Sequence, residues 1–165
     1  MTRLRRRAAL VLAGLFVVGC GATPPSPTAS VASPVAASFS ADDPCSLIAD
    51  VAGAVGREPI ASPTAYEVGG TQRCTWVVAR DPSRYVGLSV GPAANHGATI
   101  DAFGEGEAVT DLGDDARWWA QARTLSVALG DRSFQVDLQL DAGDVTRDAA
   151  VGLARQVLGA IGTGG

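Results

Sequence analysis

The sequence predicts an α+β domain: a curved antiparallel sheet of about five to seven strands with an N-terminal and a C-terminal helix packed against it. Three observations lead there. Apolar residues recur at helical spacing near each end of the domain, period-two alternation fills the middle, and the turns between alternating runs are short.

Asp43-Pro44 opens the first helix, because Asp43 can accept from free N–H groups and Pro44 suits the first helical position. Leu47, Ile48, Val51, Ala54 and Val55 form its stripe, and Gly56 is a natural stop. Residues 58–70 are irregular around Pro59 and Pro63, with room for a short strand. Arg73 to Ala79 alternates, placing Cys74, Trp76 and Val78 on one face; Tyr85 to Val90 does the same with Val86, Leu88 and Val90. Between them Arg80-Asp81-Pro82-Ser83 is a turn. Residues 93–106 read as a loop with at most a short helix near Thr99 to Phe103.

Ala108-Val109 is a candidate short strand, followed by strands over Ala116 to Gln121 and Thr124 to Leu129. Gly130-Asp131 makes a two-residue hairpin turn. In the returning strand Phe134, Val136, Leu138 and Leu140 fall on one side and Ser133, Gln135, Asp137 and Gln139 on the other, which implies a sheet with one wet face. The last helix starts near Asp144 or Thr146 and carries Ala150, Leu153, Ala154, Val157, Leu158 and Ile161 as its apolar stripe.

Ahead of this domain, residues 1–19 have the parts of an export signal. Arg3, Arg5, Arg6 and Arg7 precede an uncharged, mostly aliphatic run from Ala8 to Gly19. That run is too short to span a hydrocarbon core, which needs about 20 residues as a helix. It ends in Val17-Val18-Gly19-Cys20, which resembles the lipobox of bacterial lipoproteins. The resemblance implies that Cys20 is lipidated, that the mature chain starts there, and that it is held on the extracytoplasmic face of the cell membrane. Residues 20–41 are then the lipidated Cys and a Pro/Ser/Thr/Ala-rich linker unable to bury enough apolar surface to fold. Residues 42–162 form one domain and 163–165 a frayed tail.

Charge and cysteine usage narrow the function. The chain contains no Lys, and beyond residue 19 nine Arg face 17 acidic residues, a balance of −8. Such a surface argues against nucleic acid as a partner. With Cys20 assigned to the lipid, Cys45 and Cys74 remain in an oxidising compartment, where a disulfide is the default over two buried thiols. Two Cys and one distant His lack metal-ligand spacing.

Taken together, the segments Asp43-Pro44-Cys45-Ser46-Leu47, Cys74-Thr75-Trp76 and Leu112-Gly113-Asp114-Asp115-Ala116-Arg117-Trp118 resemble those of an uncharacterised family of actinobacterial lipoproteins with a small α+β domain. The resemblance covers nearly all of residues 42–162. It implies a paired Cys and a lipid anchor, and no activity. The order of elements is also similar to the PsbP/Mog1 fold.

The remaining constellations are sparse. His96 is the only His, and its Pro/Ala/Asn/Gly surroundings suggest an exposed loop. No Gly-x-Ser-x-Gly, His-Glu-x-x-His or phosphate-cradling loop is present. Glu105, Glu107, Asp111, Asp114 and Asp115 lack the spacing of a calcium loop, and Asp114 and Asp115 suit a turn. Strand alternation sends Trp118 and Trp119 to opposite faces. Trp118 shares a side with Ala116 and Ala120 and is the core candidate; Trp119 shares one with Arg117 and Gln121 and is the candidate contact site. The expectation is a non-enzymatic ligand-binding or sensing module without cofactor or metal, whose ligand is a small molecule. The alternative is an accessory subunit docking on another envelope protein. A Ser or Asp within hydrogen-bond reach of His96 would revive a hydrolase.

Overall fold

Seven strands form one open antiparallel sheet in the order β1-β2-β3-β7-β6-β5-β4. The computed structural model describes residues 43–162; the segments expected to be an export signal, a lipidated Cys20, a linker and a frayed tail at 163–165 lie outside them. The strands are β1 (Thr64–Val68), β2 (Thr71–Val77), β3 (Tyr85–Pro92), β4 (Glu107–Ala108), β5 (Asp115–Trp119), β6 (Thr124–Leu129) and β7 (Arg132–Gln139). Two meanders, β1-β2-β3 and β4-β5-β6-β7, meet where β3 pairs with β7, Leu88 opposite Val136. The chain passes from the first meander to the far edge of the second through α2 (Ala94–Phe103). Helix α3 (Arg147–Gly162) follows β7.

The main core fills one face of this sheet. Val86, Leu88, Leu125, Val127, Val136 and Leu138 are solvent-free there, in one cluster with Ala150, Leu153, Ala154 and Val157 of α3. Burying each such Val or Leu side chain is worth about 1.5–3 kcal/mol. Thr146 starts α3 by accepting the Ala149 N–H on its hydroxyl at 3.0 Å. The Gly130-Asp131 turn is present as expected, with Leu129 opposite Arg132.

The first helix is shorter than its apolar stripe suggests. It breaks into a 3-10 turn, Pro44–Leu47, and a short α1, Val51–Val55. Asp43 caps the first piece at the Cys45 N–H, and Asp50 caps the second at the Gly53 N–H. Leu47, Ile48, Val51 and Val55 still enter the core, and Gly56 ends α1 in the left-handed region. Cys45 and Cys74 form a disulfide, with Cα atoms 5.2 Å apart, tying the 3-10 turn to β2.

The second face of the sheet is wet only in part along β7, where Gln135, Asp137 and Gln139 stay half-buried. Ser133 is 2 % exposed, and the polar side chains of this face are partly roofed by α2. Residues 94–103 are one continuous helix rather than a loop with at most a short helix near Thr99 to Phe103.

Candidate functional site

One cross-strand row runs over the second face: Tyr66, Arg73, Ser89, Gln135, Ser126 and Arg117 stand opposite one another from β1 to β5. All six side chains therefore share this face. Helix α2 lies over the β7 and β6 end of the row and meets it with polar groups. Asn95 donates its side-chain amide to Thr71 Oγ1 at 3.0 Å. Gly91 makes room for that bond, since a Cβ there would stand 2.3 Å from Asn95 Nδ2. Thr99 Oγ1 donates to the Asn95 carbonyl at 2.8 Å and lies 3.3 Å from Gln135 Oε1. Gln135 Nε2 in turn donates to Asp137 Oδ1 at 2.9 Å, as does the Thr124 hydroxyl at 2.7 Å.

His96 sits inside this layer. It is 6 % exposed, which corrects its assignment to a solvent-exposed loop. Its Nδ1 is 2.9 Å from Ser126 Oγ, and its Nε2 is 3.1 Å from Asp115 Oδ2. An ionised carboxylate only accepts, so Nε2 carries the proton and donates to Asp115. In the neutral ring Nδ1 then accepts from the Ser126 hydroxyl. Burial works against the Asp115 charge; the hydrogen bonds from His96 and Arg117, with the charges of both, outweigh it and hold the carboxyl below its ordinary value. The sequence alone does not join these three residues, which lie on a helix and two strands. Only the register, with Arg117 opposite Ser126, brings Asp115, two residues before Arg117, to the same face.

Beside His96 the helix stands off the sheet and leaves a cavity of about 270 Å3. Thr71, Arg73, Ser89, Thr99, Phe103 and Ser126 are among its walls, and no carboxylate lines it. The volume falls just below the usual range for a small-molecule site, about 300–1,000 Å3.

Trp119 does not supply an exposed contact. It is 1 % exposed, against 5 % for Trp118, so the two indoles are both interior, on opposite faces. Trp118 joins the main core as expected. Trp119 is covered because the connection after α2 folds over it, and its ring centroid lies 6.3 Å from that of Phe103. Asp114 serves the turn: its N–H reaches the Ala128 carbonyl and its carboxylate accepts the Gly130 N–H at 2.6 Å. Among the described residues no group of three or more His, Cys, Asp or Glu side chains is placed to hold a metal, and no helix is long and apolar enough to cross a membrane.

No family model, curated protein or solved structure matches this chain.

Proposed function

We propose that this chain is a lipid-anchored, extracytoplasmic binding module that takes a small ligand into the cavity under α2 and does not turn it over. The observation that carries the reading is the cavity with its prefixed polar walls. Asn95, Thr99, Gln135 and Ser126 are already held by internal hydrogen bonds, so ordering them costs little when a ligand enters. The place of the module rests on Val17-Val18-Gly19-Cys20 and the basic and apolar segments before it. Membership of the actinobacterial lipoprotein family, and a PsbP/Mog1-like relationship, belong to the same reading; the quoted segments and the order of elements support them.

The Ser126–His96–Asp115 chain favours a second reading, acyl transfer at Ser126. Two features weigh against it. Ser126 is 1 % exposed, and its backbone is committed to the sheet ladder between β5 and β7, so it cannot form an oxyanion hole.

Three measurements test these statements. Cys20→Ser should release the protein from membranes or leave it uncleaved; a processed form that still fractionates with membranes would refute the anchor. A low-molecular-weight envelope extract should raise the melting temperature of wild type, and filling the cavity with Ala98→Trp should abolish the rise. Model esters should not be hydrolysed; turnover that vanishes in Ser126→Ala would establish the second reading instead.

A further inference from the structure

The walls of the cavity differ in one respect that selects the ligand. Among the described residues, the Arg73 guanidinium and the Ser89 hydroxyl make no hydrogen bond or ion pair, although both line the cavity. They are cross-strand partners on the same face, so their Cβ atoms stand about 4.5–5.5 Å apart. Thr71 lies two residues before Arg73 and on its side of β2. Its oxygen accepts from Asn95, which leaves its hydroxyl proton free to donate. Three unused donors therefore line the strand side of the cavity, one of them cationic, with no carboxylate in the walls to neutralise it. On the helix side Ala98, Ala102 and Phe103 of α2 present an apolar surface, with Phe103 48 % exposed.

We infer that the ligand is a small organic anion: a carboxylate held by Arg73, Ser89 and Thr71, on a compact apolar body laid against Ala98, Ala102 and Phe103. The inference rests on the proposed binding role and names its ligand class. Arg73 supplies a planar fork that matches two carboxylate oxygens, which a lysine could not do. Ser89 and Thr71 saturate remaining lone pairs. The small volume favours a compact ligand, and the Arg73 charge, with no carboxylate in the walls beside it, disfavours a cation.

The full oxidised chain, 15N-labelled and held in neutral detergent, is titrated with benzoate, with its uncharged isostere benzamide, and with inorganic phosphate. Benzoate should shift the amide signals of Arg73, Ser89, Ala102 and Phe103, in the millimolar range or tighter. Benzamide should bind at least about tenfold more weakly, since it forfeits a charge-assisted pair. Arg73→Gln, an exposed position, should weaken benzoate by a similar factor without lowering the melting temperature, and Ser89→Ala should weaken it less. Equal binding of benzamide and benzoate at these residues would overturn the anion and leave the cavity as a binding site. Phosphate as tight as benzoate would overturn the organic body. No shift at these residues with benzoate overturns the inference; the Ala98→Trp comparison in extract then decides separately whether the cavity binds anything.

Discussion

Trp119 donates its indole N–H to the Gly104 carbonyl at 2.8 Å, and that bond closes the connection after α2 onto the sheet. Gly104 ends the helix at φ 81°, its own N–H still bonded to the Ile100 carbonyl. Two residues on, Gly106 has φ 65°, and a Cβ there would stand 2.7 Å from the Trp119 ring. Trp119 thus fixes where α2 ends, and the height of α2 over the sheet sets the size of the cavity.

Both tryptophans should therefore matter for stability. Trp118→Ala and Trp119→Ala should each cost about 3–5 kcal/mol, the usual range for truncating a buried Trp. Trp119→Phe keeps most of the apolar contact and loses the donor, at about 0.5–1.5 kcal/mol, since Gly104 is exposed and water can reach its carbonyl. Urea melts of the three variants check this. A Trp119→Ala protein close to wild-type stability would show that the connection does not depend on the indole.

Much of the sheet was legible because its core side is apolar at every second residue: Val86, Leu88 and Val90 in β3, Phe134, Val136 and Leu138 in β7. Helix α2 was not, for the complementary reason. Its inward residues Asn95, His96 and Thr99 are polar and meet polar strand residues, so no apolar stripe marks it. The same gap misplaced Trp119, whose polar strand neighbours Arg117 and Gln121 suggested solvent on a face that α2 and residues 104–106 in fact cover. The break in the first helix was hidden because its stripe survives the break. The cavity donors Arg73 and Ser89 carry no sequence signal at all; strand register alone pairs them.

Gln156 accounts for that break. Its Oε1 accepts the Ala49 N–H at 3.1 Å and the Asp50 N–H at 2.8 Å, and its Nε2 donates to the Asp50 carbonyl at 2.8 Å. One side chain of α3 thus supplies partners to backbone groups that a continuous helix would have satisfied internally. Gln156→Leu should destabilise the domain by about 1–3 kcal/mol, given that net hydrogen-bond contributions are near 1 kcal/mol each. Hydrogen exchange should accelerate at Ala49 and Asp50 more than in β3. Unchanged exchange at those two amides would refute the role.

The Cys45–Cys74 bridge closes a loop of 29 residues. Chain-entropy arguments give it about 3.6 kcal/mol, a large share of the roughly 5–15 kcal/mol of a domain. Reduction, or the Cys45→Ala/Cys74→Ala pair, should lower the urea midpoint accordingly, and non-reducing mass spectrometry should recover the linked peptides. Two alkylatable thiols in the folded, unreduced protein would contradict the bridge.

Acid should loosen α2 through Asp115 rather than through His96. If His96 gains a second proton, Nε2 still donates to Asp115, and the Ser126 hydroxyl can turn from donor to acceptor at Nδ1, so the chain of bonds survives. Protonating Asp115 is different, because it removes the charge that faces both His96 and Arg117; Glu105 lies 4.0 Å from Arg117 and is too exposed to replace it. The folded Asp115 carboxyl titrates below its ordinary value of 3.8, so it contributes stability above that value and loses it as pH falls through the lower, folded one. The expected outcome is an acid limb of stability below about pH 4 that is shallower in Asp115→Asn than in wild type, since the amide has no charge to lose. Exchange at the α2 amides should follow the same limb. An identical acid limb in the two proteins would mean that other carboxylates govern it and that the His96–Asp115 contact contributes nothing measurable.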